Sequence, residues 1–124
     1  MEKLLWIGLG GGLGALSRYG LAGLVHRLYP GSFPLGTFVV NVAGCLVFGL
    51  LWGLFDARLA VSPQVRVAVL VGFMGAFTTF STYAFEGADL LRQGQWAWAL
   101  AYLGGQNLLG LAGLALGLAA ARFV

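Results

Sequence analysis

The stretch "GFMGAFTTFSTYAFEG", Gly72–Gly87, crowds the hydroxyls of Thr78, Thr79, Ser81 and Thr82 among the rings of Phe77, Phe80, Tyr83 and Phe85. It sits inside an apolar block running from Val65 to Leu91. Wholly helical, that block would be about 40 Å long at about 1.5 Å per residue, against a hydrocarbon core of roughly 30 Å. Tilt absorbs such an excess, and so does a break. Gly72 and Gly75 followed by β-branched threonines, which are poor helix formers, predict an interruption between Gly75 and Thr79.

An interruption at membrane depth survives only where protein buries it and its orphan backbone groups find partners. A dehydrated cation is one partner for bared carbonyls, and sodium is the expected ion. Beyond the break, Thr79, Thr82, Tyr83 and Glu86 share one broad helical face with Phe80 at its margin. A single hydroxyl in a membrane helix is uninformative, because it bonds back to its own i−4 carbonyl. The cluster carries the signal. Ring edges are positive, and hydroxyl and amide donors replace water around a small anion. A cation path would call instead for carboxylates and carbonyls.

Working outward, the 124 residues are 60% hydrophobic and 9% charged, with a mean hydropathy of +0.89. That leaves too little polar surface to cover a soluble domain, so the expected solvent is lipid. Each crossing needs roughly 20 apolar residues. Turn signals at "HRLYPGSFP", "DARLAVSPQVR" and "RQGQ" cut the chain into blocks Leu4–Leu28, Phe33–Phe55, Val65–Leu91 and Trp96–Ala121. The predicted fold is an all-α membrane protein, one domain over residues 1–124 with four transmembrane helices, the third interrupted. Leu4–Leu28 is long for a signal peptide and is read as a retained span.

With four spans both termini share a side. Lys3, Arg58, Arg66 and Arg122 fall there, against Arg27 and Arg92 opposite, a slight bias toward cytoplasmic termini that allows insertion both ways up. The net charge of +3 has no basic stripe or soluble surface behind it, so nucleic acid is not an expected partner. Cys45 is alone and reads as a small buried hydrophobe; His26 reads as interfacial.

Glycines in the first span, "GLGGGLGALSRYGLAG", mimic a dinucleotide-binding pattern. There is no preceding strand and no acid about twenty residues on, so the pattern fails. Missing Cβ atoms let membrane helices approach closely, and the stripes Gly10, Gly14, Ser17 and Gly113, Gly117 are predicted to do so. A unit of 13.0 kDa is too slim to enclose an aqueous route, which predicts a homo-oligomer.

Arg18 lies deep in the first span, where a guanidinium costs on the order of 3 kcal/mol. It either snorkels to the interface or faces protein and makes a cavity electropositive. In the second span Thr37, Asn41, Gly44 and Phe48 form a narrow stripe. In the last, Tyr102 and Gln106 are one turn apart, with Asn107 beside them and Trp96 and Trp98 at the interface.

Over essentially its full length the chain resembles the Fluc (CrcB) fluoride channels, through "GxxGALSRY" (Gly11–Tyr19), "GTFVVNVAG" (Gly36–Gly44) and "GFMGAFTTFSTYAFE" (Gly72–Glu86). The resemblance implies an antiparallel, dual-topology homodimer in the bacterial or archaeal plasma membrane, with two narrow fluoride pathways. It also implies a structural Na⁺ at the dimer centre, held by the carbonyls of Gly75 and Thr78 from both subunits. It assigns Asn41 as the pore amide, Phe80 as the first pathway ring, and Ser81 and Thr82 as hydroxyls beside it. Thr37 joins the path, Glu86 matches a vestibule carboxylate, Tyr102 a residue of the polar track, and Arg18 the first-helix arginine. Tyr83 stands where a second phenylalanine is usual, Ala76 where a glycine is frequent, and Gln106 and Gly110 where serines are common.

The expected function is passive fluoride export. A path with closely spaced donors offsets the anion's large dehydration energy, while chloride is too large for the constriction. No catalytic triad, metal-ligand cluster or phosphate loop is present, so no enzymatic activity is expected. The alternative is a small multidrug-resistance-type proton-coupled exporter, which needs a carboxylate in its first span; this span has Arg18 instead. An accessory helix-packing subunit would explain the glycines and leave "TTFST" unexplained.

Overall fold

The computed structural model describes residues 1–57 and 60–124; Arg58, one of the charges weighed for topology, lies outside the described residues. Helix α1 covers Glu2–Leu28 and α2 covers Leu35–Ala57. The third block is built from α3 (Pro63–Val67), a π-helical stretch Ala68–Phe73, α4 (Met74–Phe77) and α5 (Phe80–Arg92). Helix α6 covers Trp96–Ala120. The fold is all-helical, as expected.

Three segments, Leu35–Asp56, Pro63–Arg92 and Trp96–Ala120, are long and apolar enough to cross a membrane. Helix α1 has comparable length at 27 residues, but its many glycines and Arg18 dilute its hydropathy. Large apolar side chains face outward on every long helix: Leu9, Leu16, Val47, Val71, Leu108 and Leu111 are all exposed. The interior is thin, with Val40, Met74, Leu90, Ala99 and Tyr102 at its centre. A soluble protein would invert this arrangement.

Glycine spacing sets the helix contacts. A Cβ at Gly10 would fall on the Ala68 carbonyl and one at Gly14 on the Phe73 carbonyl, so α1 lies backbone to backbone against the π stretch. Gly117 likewise meets the Leu46 carbonyl of α2, and Gly49 of α2 meets the Leu114 carbonyl of α6. Ser17, predicted to continue the first stripe, is exposed instead. The π stretch, with its i→i+5 bonding, was not expected from sequence.

The interruption falls at Thr78 and Thr79, inside the expected interval. Both are extended, with φ −85°, ψ 158° and φ −145°, ψ 117° respectively. The threonines end one helix and start the next. Thr78 Oγ1 donates to the Met74 carbonyl at 3.2 Å, closing α4. Thr79 Oγ1 accepts from Thr82 N–H at 3.3 Å as the N-cap of α5.

Candidate functional site

The break is held by one side chain. Asn41 of α2 accepts the Thr79 N–H on Oδ1 at 2.8 Å. It returns Nδ2 to the Thr79 carbonyl at 3.1 Å, so the amide pairs with an extended residue as a neighbouring strand would. The second Nδ2 hydrogen goes to Gln106 Oε1 of α6 at 2.7 Å. Helices α2, α5 and α6 thus converge on Thr79, and Gly44, one turn along α2, leaves room for the Thr78 methyl.

Around this clip is a cavity of about 240 Å³ lined by Asn41, Thr79, Phe80, Tyr83, Gln106 and Asn107, among others. Phe80 and Tyr83 present tilted rings 5.5 Å apart. Tyr83 stacks in turn on Tyr102 at 5.7 Å. The Tyr83 hydroxyl donates to the Leu103 carbonyl at 3.1 Å and accepts from Asn107 Nδ2 at 2.7 Å. That pair of bonds turns the hydroxyl toward α6, so the polar atom that distinguishes this residue from phenylalanine is already occupied.

On the other side of Thr79 lies a second cavity, of about 460 Å³, whose walls include Arg18, His26, Thr37, Thr79 and Thr82. Arg18 therefore faces protein; it is half-buried, and among the described residues no ion pair holds it. A third space of about 300 Å³ shares His26 and Thr37 with the second and reaches Glu86. There Thr37 Oγ1 donates to Glu86 at 3.1 Å, and Tyr102, fully buried, donates to the other carboxylate oxygen. The face predicted to carry Thr79, Thr82, Tyr83 and Glu86 thus exists and straddles the cavities. Ser81 is exposed, 3.4 Å from Thr79 Oγ1.

The break also frees the two carbonyls expected to meet a cation. In an unbroken helix the Gly75 carbonyl would accept from Thr79 N–H, which goes to Asn41. The Thr78 carbonyl would accept from Thr82 N–H, which goes to Thr79 Oγ1. Gly75 is exposed, with no atom within 4 Å of where a Cβ would stand. Among the described residues no cluster of His, Cys, Asp or Glu gathers that could hold a metal. Backbone carbonyls released from helical bonding are ligands of the kind a hard cation takes.

The CrcB family model, described as "CrcB-like protein, Camphor Resistance (CrcB)", matches residues 5–118. The chain belongs to the CrcB family. It is 59% identical over 124 residues to a protein of Nitratidesulfovibrio vulgaris (strain Miyazaki F) named "Fluoride-specific ion channel FluC", covering 100% of both chains. Proteins of the same name in Maridesulfovibrio salexigens and Nitrosococcus oceani are 51% and 50% identical, over 100% and 99% of this chain and 98% of each relative. Together with its apolar spans this makes the CrcB chain a multi-pass protein of the cell membrane, and its named relatives are channels, not enzymes.

Two residues central to the site were missing from the predicted pathway. Thr79 was counted on the polar face, but its role as the shared wall of two cavities depends on the extended backbone. Gln106 was noted one turn from Tyr102; its bond to Asn41 spans 65 residues of sequence and has no local signature.

Proposed function

We propose that this chain is a fluoride-selective channel through which cytoplasmic fluoride leaves passively. The reading is of four-span subunits paired as an antiparallel homodimer. The observation that carries it is the end-to-end match to proteins named as fluoride-specific channels.

The chemistry of the cavities agrees with that reading. Fluoride gives up its water only where donors and positive ring edges stand close together; beside the break Phe80 and Tyr83 supply ring edges and Gln106 an amide donor. Arg18 makes the neighbouring cavity electropositive and favours anions. Tyr102 and Thr37 keep the Glu86 carboxylate hydrogen-bonded, which reduces its repulsion of a passing anion.

A second subunit would cover the face that carries Val71, Gly75, Phe80 and Phe85, all exposed in the single chain. In that arrangement the Gly75 and Thr78 carbonyls of both subunits would hold Na⁺, which supplies positive charge to otherwise unpartnered oxygens. Phe80, 80% exposed, would then be enclosed by its partner, giving each pathway residues from both copies.

The test is fluoride release from liposomes containing only the purified protein, followed with a fluoride electrode. Expected is gradient-driven release that needs neither a proton gradient nor a drug, with chloride retained. Vesicles that keep their fluoride while exporting a cationic dye would overturn the proposal in favour of a proton-coupled exporter.

A further inference from the structure

The cavities of about 460 and 300 Å³ share three wall residues, Ala22, His26 and Thr37. Ala22 has no polar group in its side chain, and the Thr37 hydroxyl proton is committed to Glu86. That leaves His26 as the shared polar group free to act. It stands in the last turn of α1 and is exposed, and among the described residues no hydrogen bond or ion pair engages its imidazole.

The charged and titratable groups around His26 come from three helices and one loop. On α1, Arg18 lines the larger cavity and brings a permanent positive charge. On α5, Glu86 lines the smaller one, its two oxygens held by Thr37 and Tyr102. Helix α2 contributes no ionisable group to either wall, only the Thr37 hydroxyl. Tyr19 of α1 and Tyr29 of the following loop, with Tyr102 of α6 behind Glu86, add phenols, a class that ionises only near about pH 10. Arg27, next along the chain, lines neither cavity. The charges of Arg18 and Glu86 therefore oppose one another, and the state of His26 sets the sign of what remains.

Imidazole is the side chain whose charge changes between about pH 5 and 8. In a cleft walled by protein, one added charge raises the local concentration of its counter-ion. We propose that His26 is an anion-gathering residue whose protonation draws fluoride into these cavities, so that the chain conducts fluoride better as the pH falls through the histidine range. The proposal rests on the fluoride-channel reading. It adds a dependence on pH to a route whose selectivity is set elsewhere, beside the break.

The experiment is fluoride current through the full-length protein in planar bilayers, with the same pH on both sides. Neutral hydrogen fluoride crosses lipid in acid but carries no current. At fluoride concentrations far below saturation and at low ionic strength, the current should rise about threefold from pH 8 to pH 6, the scale of one charge at an exposed cavity mouth. Added salt should shrink the rise by screening the imidazole. His26→Gln should be flat across that range, and Arg27→Gln should keep the rise. Because the chain has one histidine, carbon-13-labelled histidine gives a single imidazole signal for the protein in nanodiscs. Sodium fluoride should move that signal at pH 6 and leave it in place at pH 8, and sodium gluconate should move it at neither.

A native current with no pH dependence, or a rise that survives in His26→Gln, overturns the proposal. If that variant does not fold, the native imidazole signal decides, and one that ignores fluoride at pH 6 sinks the proposal. A chain that passes no fluoride current at all removes the parent reading as well, whereas one that conducts with a flat pH profile removes this proposal alone.

Discussion

Where α2 crosses α6, two unbroken helices approach until Gly49 and Gly117 each lie against a carbonyl of the other helix, and the neighbouring side chains, Val42, Leu46, Leu109 and Leu116 among them, are all apolar. At Thr78–Thr79 the third span comes apart, and its backbone is completed by a side chain from another helix, Asn41. The first region needs nothing but the absence of Cβ atoms, because every backbone group is already bonded within its helix. The second needs a specific amide at one position, because backbone groups at membrane depth have no water to turn to. Close packing tolerates no added bulk; the break tolerates no lost hydrogen bond.

That contrast fixes an order of effects. The largest belongs to Gly117→Leu, where any Cβ falls on the Leu46 carbonyl. Overpacking costs about 1–3 kcal/mol in forgiving cores, and here rigid backbone is the obstacle, so the folded fraction in detergent should collapse. Retention of folded protein would mean that the α2–α6 contact is not as close as the glycines require.

Asn41→Ala should come next. It leaves the Thr79 N–H and carbonyl without partners, at about 1–3 kcal/mol for each unsatisfied group. Unfolding in mixed micelles should register a loss of about 2–6 kcal/mol; an unchanged midpoint would show that the break does not depend on its clip.

Gly75→Leu separates the subunit from its assembly. Its Cβ would meet no atom of the same chain, so secondary structure should be retained with stability within about 0.5 kcal/mol. On the proposed reading, the dimer and the Na⁺ it would hold should be lost together, as size-exclusion and elemental analysis would report. An intact dimer with unchanged Na⁺ would count against the carbonyl site.

The smallest effect on folding is expected for Phe80→Ile. Most of the ring is exposed in the single chain, so stability and dimer should hardly change, while fluoride flux is abolished by loss of the ring edge. Flux at the native rate would remove Phe80 from the pathway.

Much of this was legible in the chain. Hydrophobic blocks bounded by charge, Pro and Gly located the long helices to within a few residues, because each needs an apolar surface about as long as the membrane is thick. The glycine stripes indicated where helices touch, since a missing side chain at helical spacing has the same consequence in any partner. Gly72 and Gly75 followed by β-branched threonines announced the break, because such residues are poor helix formers.

What resisted reading was non-local. The π stretch packs against Gly10 and Gly14, residues more than fifty positions away in the chain. The opposed fates of two amides, Asn41 fully engaged and Gln106 half free, depend on which way a bond network runs across three helices. Tyr83 was ambiguous in sequence, a ring with a hydroxyl free either to meet the ion or to crowd it; α6 decides by taking the hydroxyl through Leu103 and Asn107.

By itself the sequence indicated that the chain lives in lipid, crosses in long helices, packs them through glycine, and interrupts one of them between Gly75 and Thr79. These are consequences of composition and of spacing along a single helix, where neighbours in space are neighbours in number. Only the tertiary structure decided which polar atoms remain available after the helices meet, because a donor's availability depends on acceptors that arrive from elsewhere in the chain.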